Sequence, residues 1–139
     1  MRILGIDYGD KRIGVAISDP LGIVAQGIAV IGKGESFAHD IREIKRIIKK
    51  YDGASEIVVG LPRRLDGTVG PQAEKVFSFI EALKQEFKLN IVAWDERLTT
   101  VSAEKVLIQA GLSREKRRKI IDKSAAAAIL QNYLDSKRK

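Results

Sequence analysis

Residues 1–32, MRILGIDYGDKRIGVAISDPLGIVAQGIAVIG, decide the fold. Apolar and β-branched residues run through them and are broken twice by turn chemistry, at Tyr8-Gly9-Asp10 and at Asp19-Pro20-Leu21-Gly22. Gly supplies backbone freedom in tight turns and Pro pre-sets φ, so the pattern predicts three short strands in a meander. Beyond it, Ser36 can cap a helix whose apolar residues Phe37, Ile41, Ile44, Ile48 and Tyr51 recur at steps of three and four. EIVVG (Glu56 to Gly60) reads as a buried strand. After the loop 61–70, Pro71 suits the first position of a helix with Ala73, Val76, Phe77, Ile80, Leu83 and Phe87 on its inner face. NIVAW (Asn90 to Trp94) is a fifth strand. It is followed by the polar loop DERLTT, a short helix ending near Gly111, and a last helix containing SAAAAILQNYL. The later strands can pair in parallel only through crossover helices. The order βββαβαβαα therefore implies an α/β fold, a mixed five-stranded sheet with helices on both faces.

The chain has 139 residues, 45% hydrophobic and 31% charged, which is enough for one domain with one core and unlike a disordered protein. We expect a single domain over 1–139, with a basic tail from about residue 135. The 25 Lys and Arg against 18 Asp and Glu give a net charge of +7. Residues 1–113 account for only +1 of it and residues 114–139 for +6. A positive end of this kind points to an anionic partner, most commonly nucleic acid. There is no cysteine, which removes disulfide scaffolds, zinc-thiolate sites and thiol catalysis. The amino-terminal segment is interrupted by Asp7, and the longest uncharged stretch, Pro20 to Gly32, is too short to span a bilayer. A cytoplasmic protein with no membrane partner is the expectation.

Three acids stand where burial is expensive, because an unpaired buried charge costs several kcal/mol or neutralises. Asp7 follows Ile3 and Gly5 on one face of the first strand, at the end of what reads as the central strand. Glu96 lies just past NIVAW. Asp122 precedes Ala125, Ala126, Ile129, Leu130 and Tyr133 on one helical stripe. Converging carboxylates without cysteine and with a single histidine describe a hard-cation site for Mg²⁺ or Mn²⁺, suited to in-line displacement at a phosphodiester. Each acid also has a plainer reading: Asp7 as a turn former, Glu96 paired with Arg97, Asp122 as a helix N-cap.

The segments MRILGIDYGDKRIGVAISDPLG, EIVVGLPRRLDGTVGPQA, DERLTT and IDKSAAAAILQNYL, in this order and spacing, resemble the YqgF family, also called RuvX, from Met1 to Leu134. The resemblance implies an RNase H-like fold and nuclease activity, with maturation of the 5′ side of precursor 16S rRNA as the function. It also implies that Asp7, Glu96 and Asp122 are the catalytic and metal-binding acids. Gly9, Lys11, Arg12, the loop Asp66-Gly67-Thr68, Arg97 and Thr99 are implicated around them. Asp10 and the pair Arg63 and Arg64 depart from the family pattern, adding an acid beside the metals and two bases beside the substrate.

REKRRK (Arg114 to Lys119) has a net charge of +4 just before Asp122. Arg114, Lys116, Arg117 and Arg118 are therefore candidates for the phosphate backbone, with a solvated helix face as the alternative. Thr68 with Gly70-Pro71 offers a hydroxyl and free N–H groups that could hold a phosphate or simply cap a helix. His39 reads as solvent-exposed and Trp94 as structural. The expected partner is RNA, with pre-rRNA first and structured DNA as an alternative, and the protein acts as a monomer or homodimer. A junction-resolving DNase would need the homodimer to cut two strands symmetrically. A non-catalytic ribosome-assembly factor gains nothing from clustered acids beside phosphate. DYGDKRIG also resembles the phosphate loop of the sugar kinase and actin superfamily, but those proteins close two such domains on a nucleotide and 139 residues supply one.

Overall fold

A computed structural model describes residues 1–62, 70–95 and 114–137, the stretch 114–124 as backbone only. The meander forms as expected: β1 (Ile3–Tyr8), β2 (Arg12–Ser18) and β3 (Ala25–Gly32). α1 (Phe37–Lys50), β4 (Glu56–Leu61), α2 (Pro71–Glu86), β5 (Asn90–Asp95) and α3 (Arg114–Lys137) follow. The sheet order is β3-β2-β1-β4-β5, with β1 central. β1 pairs antiparallel with β2 and parallel with β4, and β4 pairs parallel with β5. The helix expected to end near Gly111 lies outside the described residues.

Strand alternation divides the core into two. Leu4, Ile6 and Tyr8 of β1 join Ile13, Val15 and Ile17 of β2 beneath α1 and α2. Ile3, Ala16 and Val58 meet Ala126, Ile129, Leu130 and Tyr133 of α3 on the other face. That second face is built from small residues. A Cβ placed on Gly5 would lie 2.7 Å from the Leu130 Cβ and 3.2 Å from the Ala126 carbonyl oxygen, so only glycine lets α3 sit this close to β1. Ser18, fully buried, accepts a hydrogen bond from the Ile3 N–H at 2.8 Å and ties β2 to the start of β1.

Ser36 caps α1 as expected, its side chain accepting from the His39 N–H, and Pro71 opens α2. Gly70 provides no side-chain cap, and its carbonyl accepts from Ala73 and Glu74. The inner face of α2 differs at one position. Phe79 is wholly buried and stacks on Tyr8 at 4.2 Å, while Phe77 is 42% exposed. Phe77 is one residue, about 100°, past Val76, whereas Phe79 is three past it and returns to the buried stripe. α3 also runs further than expected. Residues 135–137 are helical, and Lys137 donates to Glu56 at 2.6 Å, so these residues are held rather than trailing.

Candidate active site

Parallel pairing brings the carboxyl ends of β1, β4 and β5 to one edge of the sheet, where Asp7, Leu61 and Asp95 stand. Asp7 is partly buried and pairs with Gly14 inside the ladder, which rules out its reading as a turn former. It is in phase with Ile3 and Gly5 and so faces the α3 side. α3 runs antiparallel to β1: Tyr133 reaches Glu56 opposite Ile3, while Leu130 and Ala126 cover Gly5. One turn further towards its amino end, the α3 backbone at residue 122 therefore heads for the Asp7 edge. Position 122 is eight residues inside a helix that begins at Arg114, so Asp122 is not an N-cap. Its side chain and those of Arg114, Lys116, Arg117 and Arg118 lie outside the described residues, as do Glu96, Arg63, Arg64, Thr68 and Arg97 in full.

The turn after Asp7 is tight. Gly9 N–H donates to the Arg12 carbonyl at 3.0 Å, and a Cβ on Gly9 would lie 2.8 Å from that oxygen. The turn carries Lys11, which is exposed, into Arg12, which is partly buried and opens β2. α2 also leans on this edge through Gln72, whose amide donates to the Tyr8 carbonyl at 3.2 Å. Leu61 at the end of β4 and Gly70 at the start of α2 therefore both stand at this edge. Described residues alone contain no cluster of three potential ligands. The fit to a hard cation rests on Asp7 as an oxygen donor, with β5 ending at its edge and α3 converging on it.

Sequence reasoning missed two residues near this edge. Asp40, in the first turn of α1, is 1% exposed. Its Oδ1 accepts from the Gly34 N–H at 2.9 Å and contacts the His39 Nδ1 at 3.1 Å, so His39 is partnered rather than simply solvated. Lys33 places its ammonium 4.1 Å from the Tyr8 ring centroid and donates to the Gly9 carbonyl at 3.1 Å. Burial, followed by the charge of Asp40, pushes the Tyr8 hydroxyl up to about 12. An acid four residues past a Ser cap is a recognisable helix-start signal, but nothing in the pattern marks it as buried. Trp94 is structural, as expected. Its indole donates to Asn132 at 3.1 Å and its ring meets Tyr133 edge-on at 5.2 Å.

A five-stranded mixed sheet of this order, with a carboxylate ending its central strand and a helix crossing the same face, defines an RNase H-like domain. Solved structures agree. The Fowlpox virus resolvase bound to Holliday junction DNA matches with a TM-score of 0.60 and 17% identity over the whole of both chains. RuvC of T. thermophilus, also bound to a Holliday junction, matches with a TM-score of 0.60 and 12% identity over 99% of this chain and 96% of its own. The family described as RuvX, Holliday junction resolvase, matches residues 1–136, and the chain belongs to this RuvX/YqgF family. Among its relatives, a Clostridium botulinum (strain Hall) protein named "Putative pre-16S rRNA nuclease" is 55% identical over 136 residues, 98% of each chain. One of the same name from Desulforamulus reducens is 56% identical over the same span.

Proposed function

We propose that this protein is a metal-dependent nuclease that hydrolyses phosphodiester bonds of structured RNA, acting in 5′-end maturation of precursor 16S rRNA. The observation that carries the reading is Asp7: a partly buried carboxylate at the carboxyl end of the central strand, on the face that α3 crosses with residue 122 leading towards it. In this reading Asp7, Glu96 and Asp122 hold Mg²⁺ or Mn²⁺. A bound divalent ion lowers the pKa of water for attack and stabilises the leaving oxygen. The chain's own residues do the rest. Asp7 at the end of β1, Glu96 just past β5 in the sequence and Asp122 in α3 supply the carboxylates, and Lys11 and Arg12, in the turn that follows Asp7, take backbone phosphates. Arg63, Arg64, Thr68, Arg97 and the basic start of α3 extend that track without base specificity. The name carried by relatives at 55–56% identity supports the substrate class. No described helix is long and apolar enough to cross a membrane.

Purified protein incubated with a pre-16S leader RNA and, separately, with a four-way DNA junction tests the reading. We expect Mg²⁺- or Mn²⁺-dependent cleavage of the RNA, abolished by Asp7→Asn. Cleavage confined to the junction would overturn the substrate. Cleavage that survives Asp7→Asn would overturn the mechanism.

A further inference from the structure

On the sheet face opposite Asp7, the same edge holds a cavity of about 360 Å³ whose walls include Tyr8, Lys33, Glu35, Phe37 and Asp40. We propose that it takes a guanine base of the substrate strand, turned over the sheet edge beside the scissile phosphate; the inference rests on the nuclease reading above.

The central observation is Asp40. Its side chain is almost wholly buried, and both of its hydrogen-bond contacts fall on Oδ1, from the Gly34 N–H and from His39. Among the described residues nothing donates to Oδ2. A buried carboxylate oxygen left without a donor is costly, so the cavity asks its occupant for N–H groups. Lys33 supplies the opposite requirement. Its ammonium has three donors and one described acceptor, the Gly9 carbonyl, so it can also serve an acceptor on the occupant. The occupant thus needs donors set beside an acceptor, on a flat body that fits the apolar wall of Phe37 and Tyr8. Guanine has this edge: adjacent N1–H and N2–H groups next to O6. Adenine and cytosine present one amino group each, and uracil one imide N–H between two carbonyls. The volume suits a single base or nucleoside and is too small for a larger cofactor.

Position ties the cavity to the reaction. Tyr8 follows Asp7 directly with its side chain on the other face, and Lys33 bonds the carbonyl of Gly9, the next residue. In this proposal a strand with a phosphate at Asp7 turns its neighbouring base over this edge. Unstacked bases read on their Watson–Crick edges are the usual route to sequence preference in RNA.

Titration of the full chain, without metal, with guanosine, inosine and adenosine 5′-monophosphates tests the proposal, followed by amide NMR. Two short single-stranded RNAs differing only in one G or A complete the set. We expect the guanosine nucleotide to shift the amides of Gly34, Glu35, Phe37 and Asp40. Inosine lacks the 2-amino group and should bind about tenfold more weakly, the worth of one charge-assisted hydrogen bond. The adenosine nucleotide should leave these amides unmoved, the G-containing RNA should bind more tightly than the free nucleotide, and Asp40→Asn should erase the guanosine–inosine difference. Equal response to all three nucleotides, shifts elsewhere only, or a preference that survives Asp40→Asn would overturn the proposal. Free nucleotide binding more tightly than the RNA would make this an effector site and equally overturn it. Asp40 also holds the Gly34 loop, so the guanosine–inosine comparison on the unaltered chain decides the matter if the variant fails to fold. Base selection is read without cleavage. A protein that cuts RNA but binds the bases alike refutes the cavity alone, and one that selects guanine but never cuts refutes the nuclease reading alone.

Discussion

Replacing Gly5 by Ala separates the stability of the sheet from the geometry of the proposed metal site. The new methyl would stand 2.7 Å from the Leu130 Cβ and 3.2 Å from the Ala126 carbonyl oxygen. Non-bonded carbons rest about 3.5–4.0 Å apart, so one partner must retreat by about 1 Å. β1 is held on both sides by β2 and β4 and from beneath by the wholly buried Leu4 and Ile6, so α3 is the element that lifts. Overpacking by one methyl costs about 1–3 kcal/mol. For a chain of this length we expect Tm to fall by about 3–5 °C per kcal/mol. The larger effect is functional. α3 carries residue 122 one turn beyond Ala126, and a displacement of about 1 Å at a reacting centre costs about 100-fold in rate. The assay is single-turnover cleavage of the leader RNA well below the unfolding midpoint, with thermal unfolding followed by circular dichroism. Ile44→Val, wholly buried beneath the other face, costs about 0.5–1.5 kcal/mol and serves as the control. Wild-type cleavage by a destabilised Gly5→Ala protein, or an equal loss of rate in Ile44→Val, would refute the reasoning.

Glu56 sets an acid limb of stability. Burial pushes its carboxyl up, but hydrogen bonds from Lys137 at 2.6 Å and Tyr133 at 2.5 Å, with the charge of Lys137, outweigh burial and hold it below its ordinary value. Its contribution is therefore fully present above the unfolded value of about 4.3 and is lost as pH falls through the lower folded value. Glu56→Gln should be clearly less stable than wild type at neutral pH and close to it at strongly acid pH; a gap of constant size in urea unfolding would refute the linkage. The corrected face of α2 predicts a loss of about 3–5 kcal/mol for Phe79→Ala and within about 0.5 kcal/mol for Phe77→Ser, so comparable losses would refute the assignment. Changing Arg114, Lys116, Arg117 and Arg118 together to Ala should lower the slope of log affinity against log salt for a non-cleavable single-stranded RNA by up to about 3, at about 0.7 per phosphate contact. An unchanged slope would return this stretch to an ordinary solvated face.

The meander was legible because Gly9 and the Asp19–Gly22 segment punctuate strongly alternating strands, and alternation also places Asp7 on its face without knowledge of the partners. α3 was legible for the same reason: one stripe through Ala125, Ala126, Ile129, Leu130 and Tyr133 is buried throughout. The Phe77 error has the opposite cause. In VFSF two phenylalanines two residues apart compete for one stripe, and periodicity alone does not choose between them when both are large and apolar. Asp40 was illegible for a different reason. A first-turn acid is favourable at any helix start, exposed or buried, and it is the path of the loop from β3 into α1 that folds Gly34 and His39 over it.

The contacts that seat α3 stand away from the residue it delivers. Gln131 bonds the Ala25 N–H and the Ile23 carbonyl, Asn132 takes the Trp94 indole, and Tyr133 and Lys137 both grip Glu56. Neighbouring positions thus reach β3, β5 and β4, which fixes the rotation of the helix about its own axis. A rigid helix carries that rotation to residue 122, about 16 Å from Tyr133. Gly5 and the alanines then set only how closely the helix approaches, since small side chains cannot prevent it from turning. In the proposed mechanism two sets of residues therefore govern one site: the polar grip at the carboxyl end sets the rotation of α3 about its axis, and the glycine sets how closely the helix backbone approaches β1. Neither set touches the metal in the proposed mechanism, so both should act on cleavage through the spacing of the acids, and neither through their charge.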